Sequence, residues 1–368
     1  MICSTALGEQ TTPPRADELE VSLFGPGVGE SIVVHVGGGR WVVVDSCVAA
    51  HTKRPVALDY LEQIGVDPSN QLELLVVTHW HDDHCRGAAD ILKAAPNADL
   101  VLAAALRTEE LKQLVAASTD PFVQPSGATE LCNAMRVLKK RPKRERAWVR
   151  WAHVGNRLFA PEVAEMQVLS PSDEAFTRAA QELGAHLPHV GQRKRRHTNQ
   201  APNDLCVALW LRHHDTAVLL GADLEGGGAA GGWQAVLAHP ARPEKKAAIF
   251  KVPHHGSPGA EEPRVWDDML TTEAHALVAA YAAGRRPLPA SEDVERLCAR
   301  TPNVYLTSPA QPHKRRGRPA AVERVLRRAA PDLREMTGPM GHVRLRVGNA
   351  PDSVSVELFG RARQVRAA

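Results

Sequence analysis

The sequence predicts an α/β sandwich, and three features of the chain support this fold class. Residues 19–25 alternate apolar and polar side chains, which is the period of a half-buried strand. Residues 72–77 form an almost continuous apolar run, which indicates a strand buried on both faces. From about residue 275 onward, strand and helix patterns alternate. Strands followed by strand–helix units are typical of sheets that are covered by helices.

The individual elements follow from the positions of the apolar runs and of the turns between them. Glycine and proline at 25–30 end the first strand, and the three glycines at 37–39 form the next turn. The predicted strands are 19–25, 31–36, 41–44, 72–77, 100–104, 165–169, 205–211, 216–221, 247–252, 275–280, 303–307, 342–346 and 353–358. The predicted helices are 54–65, 88–95, 107–117, 127–139, 173–184, 291–299 and 320–328.

Composition excludes a few classes of protein. The 368 residues are 43% apolar, so a large core is available, and the net charge of +3 does not by itself indicate a nucleic-acid-binding protein. The six cysteines are scattered without a CxxC pair, which argues against a disulfide framework or a zinc ribbon and favours the cytoplasm. No run of 18 apolar residues is present, so we expect no membrane span. Residues 1–18 are predicted to be a flexible polar leader without a signal peptide.

The strongest chemical signal is the segment 78–84, which reads Thr-His-Trp-His-Asp-Asp-His directly after the buried strand 72–77. Imidazole and carboxylate groups are the ligands that zinc, manganese and iron accept in proteins. His79 and His81 are two residues apart and therefore lie on one side of an extended strand end, whereas Asp83 and His84 follow in the next turn. A solvated histidine-rich surface is the alternative, and the buried strand that precedes the segment argues against it.

This HxHxDH segment resembles the signature of the metallo-β-lactamase-like hydrolases. The resemblance implies a four-layer αββα sandwich in a single domain over 19–360, with an inserted basic, partly helical region at about 106–200. It also implies two divalent metal ions, most simply Zn²⁺ or Mn²⁺, held by His79, His81, Asp83, His84, Asp223 and His255. Asp83, His84 and Asp223 would be catalytic, acting through a water that the metal ions activate.

Several further residues lie near the family's ligand positions. Asp45 closes an early strand, and we interpret it as a turn residue or an orienting residue rather than a ligand. His254 competes with His255 for the last ligand position and would otherwise orient a ligand. Many family members have an additional histidine before the strand that precedes the bridging aspartate. Here Asn203 is closest to that position, and His197 lies upstream.

Three details together indicate the branch of the family: Asn203-Asp204 before a strand, the residues 223–225, Asp-Leu-Glu, and the segment 251–257, Lys-Val-Pro-His-His-Gly-Ser. They resemble the soluble hydrolase domain at the C-terminus of ComEC/Rec2 DNA-uptake proteins. Within the segment 251–257, Lys251 and Ser257 are candidates for contacting a phosphate group, although Lys251 can equally be an ordinary strand residue. The family's His-Pro pair after the strand at 275–281 has no counterpart at 285–289, so no role carries over there.

Three basic runs indicate a charged substrate: 139–146, 193–196 and 314–318. Such runs neutralise phosphates, and Trp148 and Trp151 beside the first run could stack on bases. Any one run is most simply a solvated loop. All three together favour a nuclease or phosphodiesterase acting on DNA or RNA. The alternatives are a hydrolase of a small phosphorylated or ester substrate, and a nucleic-acid-binding protein whose metal site has degraded.

Overall fold

A computed structural model describes the chain over residues 4–5, 12–25, 29–49, 52–104, 127–145, 147–159, 164–178, 203–228, 231–282, 286–309, 340–348 and 354–366. These residues form two large β-sheets with helices around them, so the predicted mixed α/β sandwich is confirmed. No helix in this described part of the chain combines the length and the apolar character that crossing a membrane requires.

The strands are numbered in chain order. They are β1 Ser4–Thr5, β2 Leu19–Gly25, β3 Ser31–His35, β4 Trp41–Val44, β5 Leu72–Val77, β6 Asp99–Ala103, β7 Val149–Ala152, β8 Arg157–Phe159, β9 Ala164–Val168, β10 Leu209–His213, β11 Thr216–Leu220, β12 Ala247–Lys251, β13 Leu270–Val278, β14 Val304–Leu306, β15 Gly341–Val347, β16 Val354–Phe359 and β17 Arg363–Val365. The first sheet has the order β1-β16-β15-β2-β3-β4-β5-β6-β7, and the second has the order β17-β14-β13-β12-β11-β10-β9-β8.

The α-helices of the described residues are numbered in the same way. They are α1 Val56–Gln63, α2 Pro68–Gln71, α3 Asp82–Cys85, α4 Ala88–Ala94, α5 Gly127–Lys139, α6 Gly232–Ala238, α7 Pro263–Met269 and α8 Ser291–Cys298. Side-chain carboxylates accept hydrogen bonds from backbone amides at the N-termini of two of these helices. The Asp67 side chain accepts a hydrogen bond from the Ser69 amide before α2, and the Asp293 carboxylate accepts one from the Ala290 amide at α8.

The apolar side chains form two cores that account for the layers. Between the sheets, residues such as Leu23 of β2 pack with Leu220 of β11 and Ile249 of β12. On the outer face of the second sheet, Phe250 packs with Trp233 of α6 and Val265 of α7. Helices α1 and α4 contact β3 and β5 of the first sheet, and α5 packs on α4. Helices therefore cover the outer face of each sheet.

For most of these elements, the bounds predicted from the sequence agree with the observed bounds to within a few residues. The predicted strands 19–25, 41–44 and 72–77 and the helix 127–139 have the predicted bounds. The prediction missed the short strands β1, β7, β8 and β17 and the helices α2, α3, α6 and α7. Helices predicted at 107–117 and 320–328 lie outside the described residues.

The outer face of the first sheet also holds a buried histidine whose protonation opposes folding. His342 of β15 stacks on Phe24 at 4.1 Å and on Phe359 at 5.0 Å between ring centroids. Burial, with the charges of Arg344 and Arg346, holds its pKa well below the ordinary 6.5. At a pH below 6.5 the unfolded chain binds a proton at this histidine that the folded chain does not bind. The free energy of unfolding therefore falls as the pH falls.

We predict that His342→Phe makes the protein less sensitive to acid, because phenylalanine keeps the ring stacking and has no proton to gain. Relative to this variant, the wild type should lose up to about 1.4 kcal/mol of unfolding free energy per pH unit below the ordinary histidine pKa. Urea unfolding of both proteins at several pH values measures this. A difference between the two that does not change with pH would contradict the prediction.

Candidate metal centre

The predicted ligands lie at the carboxyl ends of parallel strands, on the same edge of both sheets. β4 and β5 run parallel in the first sheet, and they end directly before Asp45 and before Thr78 and His79. β11 and β12 run parallel in the second sheet and lead to Asp223 and His255. Ligand sites in α/β proteins form at such edges, because the connecting loops meet there.

The HxHxDH segment presents its side chains from an extended stretch and one short helix. His79 is fully buried, and its Nε2 atom lies 3.0 Å from Nδ1 of the partly buried His81. The chain then turns into α3, which carries Asp83 and His84. His84 is fully buried, whereas the Asp83 side chain is 16% exposed. The distance between Asp83 Oδ2 and His84 Nε2 is 3.7 Å.

The second sheet contributes an aspartate and a histidine to the same place. Asp223 Oδ2 lies 3.7 Å from His79 Nε2 and 3.3 Å from His84 Nε2. His255 Nε2 lies 3.4 Å from Asp83 Oδ2 and 3.9 Å from Asp223 Oδ2. The structure therefore brings together all six predicted ligands, and the carboxylate of Asp223 lies between the histidines of the first sheet and His255.

Two groups of ligand atoms share Asp223. In one group, atoms of His79, His81 and Asp223 all lie within 4.8 Å of one another. In the other, atoms of Glu30, His84, Asp223 and His255 do so. Among the nitrogen atoms of these histidines, Glu30 is nearest to Nδ1 of His84 and Nδ1 of His255, at 3.8 and 3.6 Å. Asp83 instead faces the Nε2 atoms of both histidines, as Asp223 does.

The residues present fit a pair of divalent cations. His84 Nε2 and Asp223 Oδ1 are buried and lack a partner with hydrogen-bond geometry. Four carboxylates, those of Glu30, Asp45, Asp83 and Asp223, lie close together, and among the described residues the ammonium of Lys251 is the one that lies among them. Carboxylates at such density are stable only where cations compensate their charge, and imidazole with carboxylate is a donor set for transition metals.

The same charges act on the histidines and aspartates. Burial holds the pKa of His79 well below its usual value, with the nearby charge of His84 acting in the same direction. Burial also lowers the pKa of His84, but the carboxylates of Asp223 and Asp45 outweigh burial and raise it well above normal. Burial raises the pKa of Asp223, yet His84 and His255 outweigh burial and hold it well below normal. Asp223 is thus ionised, as a bridging ligand must be.

Backbone and carboxylate groups fix the orientation of the ligand imidazoles. The Nδ1 atom of His84 lies 2.8 Å from Asp45 Oδ2. Asp45 in turn accepts hydrogen bonds from the amide and the hydroxyl of Thr78, both at 2.8 Å. His255 Nδ1 lies 3.0 Å from the Ala279 carbonyl oxygen. These partners leave the Nε2 atoms of both histidines facing Asp83 and Asp223, and Asp45 acts here by orienting His84.

The backbone around the centre adopts conformations that side chains other than glycine rarely take. Asp45, Ala222, His254 and His255 all have positive φ angles, of 59°, 48°, 47° and 54°. Left-handed conformations at non-glycine residues are costly and persist where the surrounding structure requires them. Their concentration at this edge indicates that ligand placement, rather than local preference, determines the conformation of these loops.

Lys251 and Ser257, the predicted phosphate contacts, occupy different environments. Lys251 is fully buried, and its Nζ atom lies 2.5 Å from Glu30 Oε1 and donates to the Ala222 carbonyl oxygen at 2.8 Å. The structure therefore does not offer its ammonium to a substrate. Ser257 is partly exposed at the end of a short 3₁₀ helix, His254–Gly256, where a substrate can reach it.

His254 and Asn203 meet a third residue beside the first ligand group. The Glu225 carboxylate accepts a hydrogen bond from Asn203 Nδ2 at 2.9 Å and lies 3.2 Å from His254 Nδ1. The His254 side chain is about a quarter exposed, and its ring centroid lies 6.2 Å from that of His255. His197, the other predicted substitute for the absent histidine, lies outside the described residues.

Four residues of the centre were not predicted as site residues from the sequence: Glu30, Thr78, Glu225 and Tyr281. Tyr281 stacks on His255 with ring centroids 4.9 Å apart, and Thr78 bonds Asp45 as described. The only signal for Thr78 was its place directly before His79. In the sequence, Glu30 follows a turn of glycine and proline, and no sequence pattern around it predicts that its side chain is fully buried.

Comparison with known proteins gives one match at the level of sequence. A sequence model of the Metallo-beta-lactamase superfamily matches residues 24–122, which contain four of the six predicted ligands. No curated protein matches the chain.

Solved structures give more distant likenesses. Metallo-beta-lactamase SMB-1 bound to 2-mercaptoethanesulfonate is 14% identical, with 66% of this chain and 80% of that chain covered and a TM-score of 0.35. A motif mutant of a metallo-beta-lactamase from Cronobacter sakazakii is 13% identical, with 62% and 75% covered and a TM-score of 0.35. The hydrolase AbOPH is 14% identical, with 57% and 72% covered and a TM-score of 0.33. These likenesses are too distant to indicate a substrate.

The segment that carries HxHxDH thus matches the Metallo-beta-lactamase superfamily.

Proposed function

We propose that this protein is a metal-dependent phosphodiesterase that acts on DNA or RNA. The observation that carries the proposal is the position of Asp223, which belongs to two groups of ligand atoms at once. A shared carboxylate between two ligand groups is the arrangement of sites that hold two metal ions. A phosphodiester, whose charged oxygens can bridge two cations, suits such a site.

The residues favour zinc or manganese, which accept imidazole together with carboxylate. When bound, two such ions would polarise the scissile group and lower the pKa of a water molecule toward about 7. His79, His81 and Asp223 would hold one ion, and Asp83, His84, His255 and Asp223 the other. The first set has one protein ligand fewer, so we expect the second site to bind metal more tightly.

Other residues of the chain shape the approach to the centre. Asp83 is the most exposed of the four clustered carboxylates, those of Glu30, Asp45, Asp83 and Asp223, which allows it to orient a nucleophile as well as to bind metal. Tyr281 covers one face of the His255 ring and is itself partly exposed. Asn203, Glu225 and His254 form a hydrogen-bonding group beside the first ligand set, where it can contact a substrate.

Some basic side chains of the run 139–146 have partners within the protein, so only part of the run supports the binding of nucleic acid. Arg141 donates to the carbonyl oxygens of Leu92 and Ala95 at the end of α4, and Arg144 contacts Asp99 and covers the Trp148 ring. These arginines and Trp148 therefore have structural partners, and the base stacking predicted for Trp148 has no support here. Lys139, Lys140 and Lys143 are exposed and remain available to phosphates. The runs 193–196 and 314–318 lie outside the described residues.

The internal role of these arginines favours a second candidate, a hydrolase of a small phosphorylated or ester substrate. Such an enzyme would keep the same centre and would need no extended basic surface. A nucleic-acid-binding protein with a degraded metal site is a third candidate, because Asn203 stands where family members have a histidine. The resemblance of 251–257 to ComEC/Rec2 domains and a cytoplasmic location remain predictions that accompany the nuclease proposal.

We predict that the purified protein cleaves labelled DNA or RNA when Mn²⁺ or Zn²⁺ is supplied. The double variant Asp83→Ala/His84→Ala should lose on the order of a hundredfold or more of this activity, because it removes two of the four side chains that would hold the second ion. A chelator should abolish the activity, and added metal should restore it.

The matched control for this experiment is Asp215→Ala, which removes an exposed carboxylate far from the centre. Cleavage of small phosphodiesters without cleavage of any polymer would select the second candidate. Salt-sensitive binding to DNA or RNA without turnover under any of these metals would select the third.

We also predict that the three exposed lysines of the first basic run contribute to nucleic-acid binding. Replacing Lys139, Lys140 and Lys143 by alanine should flatten the salt dependence of duplex binding by about 0.9 in the logarithmic slope for each lost phosphate contact. Measurement of the dissociation constant over a series of salt concentrations gives this slope. The control replaces Lys245, Lys246 and Arg264, three exposed cations beside the second sheet. Equal slopes for both triple variants would show that the run is a solvated loop.

A further inference from the structure

An ion pair between the two sheets lies beside the metal ligands. Glu30 precedes β3 of the first sheet, and Lys251 ends β12 of the second. Both side chains are fully buried, and the Nζ atom of Lys251 is 2.5 Å from Glu30 Oε1. Burying two charges costs several kcal/mol for each ion, and such pairs are often replaced by apolar residues without loss of stability. Stability alone therefore does not explain this pair.

Each partner is attached to a segment that carries metal ligands. The Glu30 amide donates to the Asp83 carbonyl oxygen at 3.0 Å. This approach requires the preceding glycine, because a Cβ atom on Gly29 would lie 2.6 Å from the same oxygen. Lys251 donates to the Ala222 carbonyl oxygen at 2.8 Å, and its Nζ atom is 3.9 Å from Asp223 Oδ1. A continuous chain of contacts thus leads from the Asp83 backbone to the Asp223 turn.

Two donors hold the backbone of the Asp223 turn at the Ala222 carbonyl oxygen, the Lys251 ammonium and the His254 amide at 3.0 Å. Ala222 has a φ angle of 48°, a conformation that alanine rarely adopts without support from its surroundings. The Lys251 ammonium holds the carbonyl group of this residue, and Glu30 holds the ammonium. The Nδ1 atoms nearest to Glu30 already have partners, Asp45 for His84 and the Ala279 carbonyl for His255. Glu30 is therefore placed to hold Lys251 rather than to bind metal.

We propose that Glu30 and Lys251 are a positioning pair that fixes the Asp223 turn of the second sheet relative to the Asp83 segment of the first. The pair sets the relative placement of ligands that come from different sheets. This inference rests on the metal centre of the proposed function but not on the identity of its substrate.

The test is Co²⁺ binding to the full chain, followed by its visible absorption spectrum, which reports on the geometry of the ligands. We expect Glu30→Gln and Lys251→Met each to weaken Co²⁺ binding by roughly tenfold to a hundredfold and to change the spectrum. The control is another ion pair, the buried Glu20 with the partly buried Arg346, whose atoms are 2.8 Å apart. Glu20 lies at the start of β2, whereas Glu30 follows its other end. The double variant Glu20→Gln/Arg346→Met should leave both the affinity and the spectrum unchanged.

The sign of the Lys251→Met result separates positioning from simple charge balance. Removal of a positive charge from a cation site strengthens cation binding if charge alone matters. Binding by Lys251→Met that is as tight as wild type or tighter, with an unchanged spectrum, would therefore overturn the proposal.

The double variant Glu30→Gln/Lys251→Met keeps the test available should a single variant fail to fold, because it leaves no unpaired charge. We expect it to bind Co²⁺ weakly and with an altered spectrum, and wild-type behaviour would overturn the proposal. A wild-type protein that binds no Co²⁺ would overturn it as well. Wild-type Co²⁺ binding without cleavage of any phosphodiester would instead reject the proposed function and leave the positioning pair intact.

Discussion

Mutual repulsion among buried carboxylates is the constraint on which the rest of this structure depends. Glu30, Asp45, Asp83 and Asp223 approach the same few imidazoles, with one ammonium among them. Histidine protonation and Lys251 offset part of this charge in the absence of metal. Divalent cations offset it more completely, since each carries two charges and accepts the lone pairs of buried atoms such as His84 Nε2. The side chains that meet at this edge of the fold thus require compensating positive charge.

The two-sheet architecture brings the ligands together because the strands that carry them end at the same edge. Parallel strands in each sheet end at the same edge, and the loops that follow carry all six predicted ligands. The strained residues lie in these loops, whereas the apolar cores between and outside the sheets supply the stability that tolerates the strain. Contacts such as Asp45 with His84 then set the orientation of single rings. Rigid strands and oriented rings together make a centre that needs little rearrangement to bind cations.

The sequence predicted the parts of this account that depend on local patterns. The apolar run 72–77 and the HxHxDH segment that follows it indicated both a buried strand and its ligands. Glu30 and the buried state of Lys251 were not predictable, because their pairing joins residues that are 221 positions apart in different sheets. The arginines of the run 139–146 were misleading for a similar reason. Their partners at the end of α4 and in β6 are distant in sequence, so a structural role could not be told from a binding surface.

The central claim is that residues from both sheets form one centre for two metal ions around Asp223. Crystals grown with Mn²⁺ or Zn²⁺ and measured at the absorption edge of the metal test this most directly. The account predicts two anomalous peaks that share Asp223 as a ligand, one beside His79 and His81 and the other beside His84 and His255. The absence of a peak at Asp223, or a single metal ion bound by Glu30 in place of Asp83, would contradict it.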